Sequence, residues 1–343
     1  MNSTELIHTA QALVAPGKGL LAMDESNPTC NKRFAALGIP QTAEARQAYR
    51  DLIVTTPHLG DFISGAILFD ETVGQKTMKG DSFIDALQTA NIIPGIKVDL
   101  GTTDMAAFPG EKVTEGLDGL RLRLRRYRAA GLLFAKWRAV IAIGDGLPTD
   151  CCIHANMHAL ARYAALCQEA EVVPIVEPEV LMEGNHTLKQ CLVITEKVQH
   201  SLFDQLYMQR VDFQGLLLKP NMVLPGTVCP EQNHVDEVAN ATVTCLLHTV
   251  PAAVPGVAFL SGGQSARLAS ERLNTMNVQF KGRMPWALTF SFSRAIQQPA
   301  LDLWKGRPEN VMAAQKALLH RASCNGRARQ GLYNPDMELS PKT

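Results

Sequence analysis

The chain has 343 residues, 46% of them hydrophobic and 19% charged, which fits a folded globular protein and excludes a disordered one. Its 33 basic and 33 acidic residues cancel to a formal net charge of +0, so bulk charge supports neither a nucleic acid nor an acidic membrane as partner. The length exceeds that of a common domain but suits one large barrel.

The chain opens on "MNSTELIHTAQALVAPGKG", which lacks a charged start followed by an apolar core and so does not read as a signal peptide. It is expected to be a helical segment over about 1–18. A recurring pattern follows: a short apolar run ending in polar residues, then a helix-like stretch. Eight such runs occur in order. They are "GLLAMDE" from Gly19, "FISGAILFDE" from Phe62, "IPGIKVD" from Ile93, "LLFAKWRAVI" from Leu132, "VVPIVEPEV" from Val172, "GLLLKPNM" from Gly215, "GVAFLSGG" from Gly256 and "WALTFSFSR" from Trp286. Near-continuous apolar runs suit strands covered on both faces, as in a parallel sheet.

Between the runs, "RLRLRRYR" (Arg121 to Arg128) reads as a solvated helix face. Thr149 or Asp150 is placed to cap "CCIHANMHALARYAALCQEAE", and Gln264 to Asn274 reads as a helix starting just after a glycine pair. No linker or repeat divides the chain, so 1–343 reads as one domain with a C-terminal tail over about 322–343. Eight β/α units favour a closed (β/α)8 barrel, with an open doubly wound sheet as the alternative.

The eight cysteines show no C-x-x-C spacing, and no apolar run reaches the length of a membrane span. Free thiols in a reducing cytoplasm are the expectation. His154 and His158 lie four apart, but no glutamate follows the first as in H-E-x-x-H; they read as ordinary helix residues, and no metal site is expected. No G-x-G-x-x-G follows the first run, which argues against a nicotinamide cofactor.

Polar residues gather late in the runs or just beyond: Asp24, Lys97, Lys136, Arg138, Glu177, Glu179, Lys219, Ser261 and Arg294. In a barrel those strand ends surround one pocket. Side chains alternate along a strand, so Lys136 shares a side with Arg138, and Glu177 with Glu179. A lysine in low dielectric among other cations gives up its proton more readily, and a neutral amine attacks carbonyl carbon to give an iminium ion, an electron sink. Lys219 has the apolar approach and Lys136 supplies the second cation. By itself a lysine there fits a structural ion pair; beside carboxylates suited to acid–base work it fits a nucleophile. "LSGGQS" offers backbone N–H groups to an anion, and Arg294 offers a guanidinium, on the loops after strands seven and eight.

These residues sit in segments that closely resemble the class I, Schiff-base-forming fructose-1,6-bisphosphate aldolases. The segments are "LLAMDES", "GIKVD", "FAKWRAV", "PIVEPE", "LLLKPNMV", "FLSGGQS" and "WALTFSFSRA", in order from about Gly17 to Tyr333. "AMDESNPTCNKR" is nearer the plastid and bacterial branch. The resemblance implies a barrel enzyme of glycolysis, gluconeogenesis or the Calvin cycle that needs no cofactor or metal. It would reversibly cleave fructose 1,6-bisphosphate to dihydroxyacetone phosphate and glyceraldehyde 3-phosphate, in the cytoplasm, as a homotetramer. It implies Lys219 as Schiff-base lysine and Glu177 as the acid for carbinolamine dehydration, with Glu179 as its partner carboxylate. Asp24 would assist C3–C4 cleavage, and Lys136 would contact the substrate and favour the neutral nucleophile. Ser261, Gly262, Gly263 and Arg294 would hold the C1 phosphate; Ser26, Thr29, Lys97 and Arg138 would lie near the other.

Three departures accompany the resemblance. Asn27-Pro28-Thr29 stands where many relatives carry Thr-Gly-Ser, so Pro28 is expected to reshape the second phosphate site, with Thr29 keeping a hydroxyl there. Ser293 replaces a glycine before Arg294, which is expected to hinder backbone approach to the C1 phosphate. The tail closes on "ELSPKT" with Tyr333 as its last tyrosine, which puts a tail-dependent proton step in question. The alternatives are the same chemistry on sedoheptulose 1,7-bisphosphate, or a catalytically silent sugar-phosphate-binding protein.

Overall fold

The computed structural model describes residues 3–339. Strands β1 (Gly19–Ala22), β2 (Ile63–Leu68) and β3 (Ile93–Lys97) precede a small antiparallel ribbon, β4 (Thr102–Asp104) and β5 (Lys112–Thr114). Then come β6 (Phe134–Ile141), β7 (Val173–Val180), β8 (Leu217–Leu218), β9 (Gly256–Phe259) and β10 (Ala287–Phe292). Apart from the ribbon, the strands pair parallel in chain order, and β10 pairs back onto β1, Ser291 opposite Leu20. The sheet is therefore the closed (β/α)8 barrel, not the open sheet. Each apolar run of the sequence contains one of its strands.

Side-chain alternation divides the barrel strands between two cores. Leu20, Ala22, Ile67, Phe134, Val173, Ile175, Leu217 and Ala258 fill the barrel interior. Leu21, Leu68, Ile96, Ala135, Trp137, Val176, Leu218 and Phe259 face the surrounding helices. Trp137, for example, packs on Tyr163 of the helix Asp150–Glu169 with ring centroids 5.5 Å apart. Thr149 caps that helix, accepting from the Cys152 N–H at 3.2 Å.

The helix Ser3–Leu13 joins the interior core through Leu6, Ala10 and Leu13, spaced four and three apart on one face, with Val14 just beyond. It fits against the strand starts because glycines leave room. A Cβ on Gly65 would come within 2.6 Å of Leu13, and one on Gly256 within 2.6 Å of Val14. This end of the barrel is plugged with apolar side chains, which leaves the opposite, C-terminal end for polar ones. Gly95 is as tightly constrained, since its Cβ would lie 2.3 Å from the ring of the fully buried Phe134. Gly95→Ala is expected to destabilise the fold by about 1–3 kcal/mol, read as a lower urea midpoint, because Phe134 has no space into which to retreat.

The arginine-rich segment forms the helix Leu120–Ala129, with Leu120, Leu124 and Tyr127 buried. Its outer arginines pair with distant carboxylates, Arg121 with Glu169 at 2.7 Å and Arg128 with Glu5 at 2.8 Å. Arg123 instead turns inward to the Val98 carbonyl at 2.8 Å. At the other end of the chain, residues 322–329, read from sequence as the start of the tail, are the last turns of the helix Val311–Arg329. Ala322, Cys324 and Ala328 are buried there. All eight cysteines are unpaired, and Cys151 alone is exposed. Among the described residues, no helix is long and apolar enough to cross a membrane.

Candidate active site

The alternation that fills the barrel with apolar groups continues upward with charged ones. On β7, Val173 and Ile175 point inward and Glu177 and Glu179 follow on the same side. On β6, Phe134 is followed by Lys136 and Arg138; on β8, Leu217 is followed by Lys219; on β1, Leu20 and Ala22 are followed by Asp24. Together they line a cavity of about 360 Å³ at the C-terminal mouth of the barrel, a size suited to a small organic ligand.

At its base lies an alternating row of charges. Asp24 Oδ2 is 2.7 Å from Lys136 Nζ, which is 3.2 Å from Glu177 Oε2; Glu177 Oε1 is in turn 3.1 Å from Lys219 Nζ. Lys136, Glu177 and Lys219 are each 3% exposed, so these charges interact largely unscreened by solvent. Burial alone would raise the Asp24 carboxyl, but the ammonium groups of Lys136, Lys219 and Lys97 outweigh it and hold it well below the usual carboxylate range. The same contest, with Lys136, Lys219 and Arg138 as the cations, lowers Glu177. Burial works against the Lys136 charge, yet Asp24, Glu177 and Asp99 raise its pKa above the ordinary lysine value. The sequence places Lys136 as a bare second cation beside Lys219. In the structure Glu177 stands between the two ammonium groups, so their repulsion is offset by a shared carboxylate. Glu177 Oε2 is buried and, among the described residues, meets the Lys136 ammonium as an ion pair without a well-aligned hydrogen bond.

Glu179, on the same side of β7 as Glu177, accepts a hydrogen bond from Arg138 Nε. Lys97 Nζ lies 3.2 Å from Asp99 Oδ1, and Asp99 Oδ2 accepts from the Arg138 N–H at 3.2 Å. Across the mouth, Ser261, Gly262 and Arg294 line the cavity; Gly263 does not, but its Cβ position is 3.5 Å from Arg294 Nη2. Gly262 and Gly263 have φ of +52° and +82°, a left-handed pair that only glycine adopts readily. The turn closes when the Gln264 N–H donates to the Ser261 carbonyl at 2.9 Å. The helix beyond starts at Ala266, capped by Ser265, two residues later than the sequence suggests. The backbone amides beside Ser261 and Gly262 on the cavity wall are therefore those of the turn more than of a helix end.

The Asn27-Pro28-Thr29 departure is the start of a helix, Asn27–Ala35, with Ser26 at its N-cap. Pro28 falls in the first turn, where its missing N–H costs nothing, and Ser26 Oγ lies 3.0 Å from Thr29 Oγ1 on the cavity wall. Ser293 likewise keeps φ at −107°, so no glycine is required there. Its hydroxyl donates to Glu25 Oε1 at 2.7 Å and is engaged before any ligand arrives. Tyr333 is buried and donates to Glu338 at 2.7 Å, away from the cavity; residues 340–343 of the tail lie outside the described residues.

The model of the family described as fructose-bisphosphate aldolase class-I matches residues 5–342. The chain belongs to this aldolase family. A protein of Xanthomonas axonopodis pv. citri named "Probable fructose-bisphosphate aldolase class 1" is 53% identical over 97% of this chain and 99% of its own. The cytosolic fructose-bisphosphate aldolase 4 of Arabidopsis thaliana is 48% identical over 98% of this chain and 85% of its own. A fructose-bisphosphate aldolase of Plasmodium falciparum, solved in complex with TRAP and a small-molecule inhibitor, superposes with a TM-score of 0.95 at 48% identity, covering 97% of this chain and 96% of that one. The chain is accordingly an enzyme of the aldehyde-lyase class.

Several residues on the wall of this aldolase cavity escape the sequence reading: Glu25, Arg33, Asp99 and Ser291. Asp99 was within reach, since it follows Lys97 by two and shares its side. Arg33 follows Thr29 by four on one helix face, a relation visible only once Ser26 and Pro28 are read as a helix start. Glu25 points away from Asp24 into a buried network, where Arg50 and Arg33 each approach it at 2.7 Å and Gln297 donates at 2.9 Å. Burial would raise its carboxyl, but Arg50 and Arg33 lower it below the ordinary 4.5. A depressed carboxyl stabilises the fold fully above its ordinary, unfolded value and loses the contribution progressively as pH falls from there through its lower folded value. Glu25→Gln leaves the buried Arg50 unpaired and is expected to cost about 3–5 kcal/mol at neutral pH. Urea titrations should show the gap from wild type narrowing as pH falls below the ordinary 4.5 towards the lower folded value. Among the described residues, no group of three or more His, Cys, Asp or Glu side chains is arranged to hold a metal ion.

Proposed function

We propose that the chain cleaves fructose 1,6-bisphosphate reversibly through a Schiff base on Lys219, giving dihydroxyacetone phosphate and glyceraldehyde 3-phosphate. The observation that carries this reading is the row Asp24–Lys136–Glu177–Lys219, with separations of 2.7, 3.2 and 3.1 Å. A Lys219 ammonium has Glu177 Oε1 as its nearest carboxylate. Moving one proton between them yields a neutral amine and a protonated acid together. The amine adds to the C2 carbonyl, and one of the amine's own protons passes to the carbonyl oxygen to give the neutral carbinolamine, leaving Glu177 protonated. Glu177 then protonates that hydroxyl, water leaves, and the iminium ion remains. Asp24, kept ionised by Lys136, accepts the C4 hydroxyl proton as the C3–C4 bond breaks. The bonding electrons pass into the iminium as an enamine, and glyceraldehyde 3-phosphate departs. Protonation at C3 and hydrolysis release dihydroxyacetone phosphate and restore the amine.

Ser261, Gly262, Gly263 and Arg294 are assigned to the C1 phosphate. Ser26, Thr29, Lys97 and Arg138 are assigned to the far one, and Glu179 is assigned the orientation of Arg138. The chemistry calls on no metal or organic cofactor. A cytoplasmic location and a homotetramer accompany the reading, the first supported by the cytosolic name of the Arabidopsis relative. Fructose 1,6-bisphosphate is preferred over sedoheptulose 1,7-bisphosphate because the relatives are named for the former. A coupled assay following triose phosphate release should give saturable turnover of fructose 1,6-bisphosphate that persists in excess EDTA. Binding without turnover, or loss of activity restored by a divalent metal, would overturn this function.

A further inference from the structure

Six cationic side chains are buried among the described residues: Arg46, Arg50, Lys136, Lys219, Arg272 and Arg321. Five face a carboxylate. Arg46 pairs with Glu71, Arg50 with Glu25, Lys136 with Asp24 and Glu177, Lys219 with Glu177, and Arg321 with Glu338. Arg272 has no such partner. Its chain neighbour Glu271 is taken by Arg267 at 2.8 Å. The Arg272 Nε is buried without a hydrogen bond, and the guanidinium's contact runs from Nη1 to Gln264 Oε1 at 2.7 Å. Burial pushes its pKa down to about 10, which still leaves it charged at neutral pH.

Holding a charge away from water without a counter-ion is costly, and the cost is relieved if the counter-ion arrives with a ligand. The position of Arg272 says which ligand. Gln264, itself buried, presents its side chain to Arg272 and its main chain to the turn, where its N–H closes onto the Ser261 carbonyl at 2.9 Å. Gly262 and Gly263 lie inside that turn, and Ser261 and Gly262 face the cavity. Arg272 does not line the cavity, so its influence passes through Gln264 and through its field.

We propose that Arg272 is a positioning residue for the phosphate subsite. Through Gln264 it fixes the Ser261–Gln264 turn, and a phosphate dianion bound there supplies the negative charge that Arg272 lacks in the free protein. The inference rests on the assignment of that turn to the C1 phosphate.

The test uses the full chain, with inorganic phosphate as a competitive inhibitor and fructose 1,6-bisphosphate as substrate. Arg272→Gln keeps a donor for Gln264 but removes the charge. It is expected to raise KM and the phosphate inhibition constant about tenfold, with kcat changed by less than about twofold. Arg272→Lys should recover most of the loss. Gln264→Glu gives Arg272 an internal counter-ion while preserving a buried pair, and it should weaken phosphate inhibition to a similar degree. This second variant keeps the test open if Arg272→Gln fails to fold. Arg294→Gln, on the cavity wall itself, serves as the reference. If Arg294→Gln weakens phosphate inhibition while Arg272→Gln and Gln264→Glu leave it unchanged, the role of Arg272 is overturned and the subsite stands. If phosphate does not inhibit the wild type and Arg294→Gln changes nothing, the subsite assignment falls and the proposal with it.

Discussion

Lys219→Met is expected to reduce kcat by about 10⁴-fold or more, because it removes the amine on which the proposed iminium electron sink forms. Methionine is a close match in length and is apolar, so it suits the approach made by the leucines of β8, and the variant should remain folded. Glu177 would keep Lys136 as a partner at 3.2 Å, so the carboxylate is not left as an unpaired buried charge. A far-ultraviolet spectrum and melting curve close to those of wild type would separate lost chemistry from lost structure. Substantial retained turnover would mean that another nucleophile carries the reaction.

The second large effect is expected at Glu177. Glu177→Gln preserves shape but removes the carboxyl proposed to exchange a proton with Lys219 and to act as the acid for dehydration, and kcat should fall about 10²–10⁴-fold. Rapid-quench experiments should find carbinolamine accumulating ahead of the iminium. Glu179→Gln offers the contrast. Glu179 is committed to Arg138, so its loss should act mainly on KM through the mobility of that guanidinium. Equal kcat losses in both variants would contradict the division of roles between the two carboxylates.

Much of this architecture was readable from the chain because barrel strands obey two simple constraints. They are covered on both faces, so they appear as continuous apolar runs, and their side chains alternate, so a charge late in a run points into the mouth. Lys219 shows the limit of that logic. Its place at the end of β8 was legible, but the interposed Glu177 depends on registers between strands that no single run contains. The helix Asn27–Ala35 was missed because "SNPTCNKR" is polar and short, and its only start signal is a serine followed closely by a proline. The ribbon β4–β5 is two three-residue strands, too brief for a period to register. Arg272 was invisible for another reason: in sequence it belongs to an ordinary polar helix, and only its burial without a carboxylate distinguishes it.

Covalent trapping addresses the central claim most directly. Wild-type protein incubated with dihydroxyacetone phosphate and reduced with borohydride should carry one stable secondary amine, located by peptide mass mapping at Lys219, and prior Lys219→Met substitution should abolish it. A label on Lys136 or another lysine, or no label under conditions where the enzyme turns over, would contradict a Schiff base at Lys219.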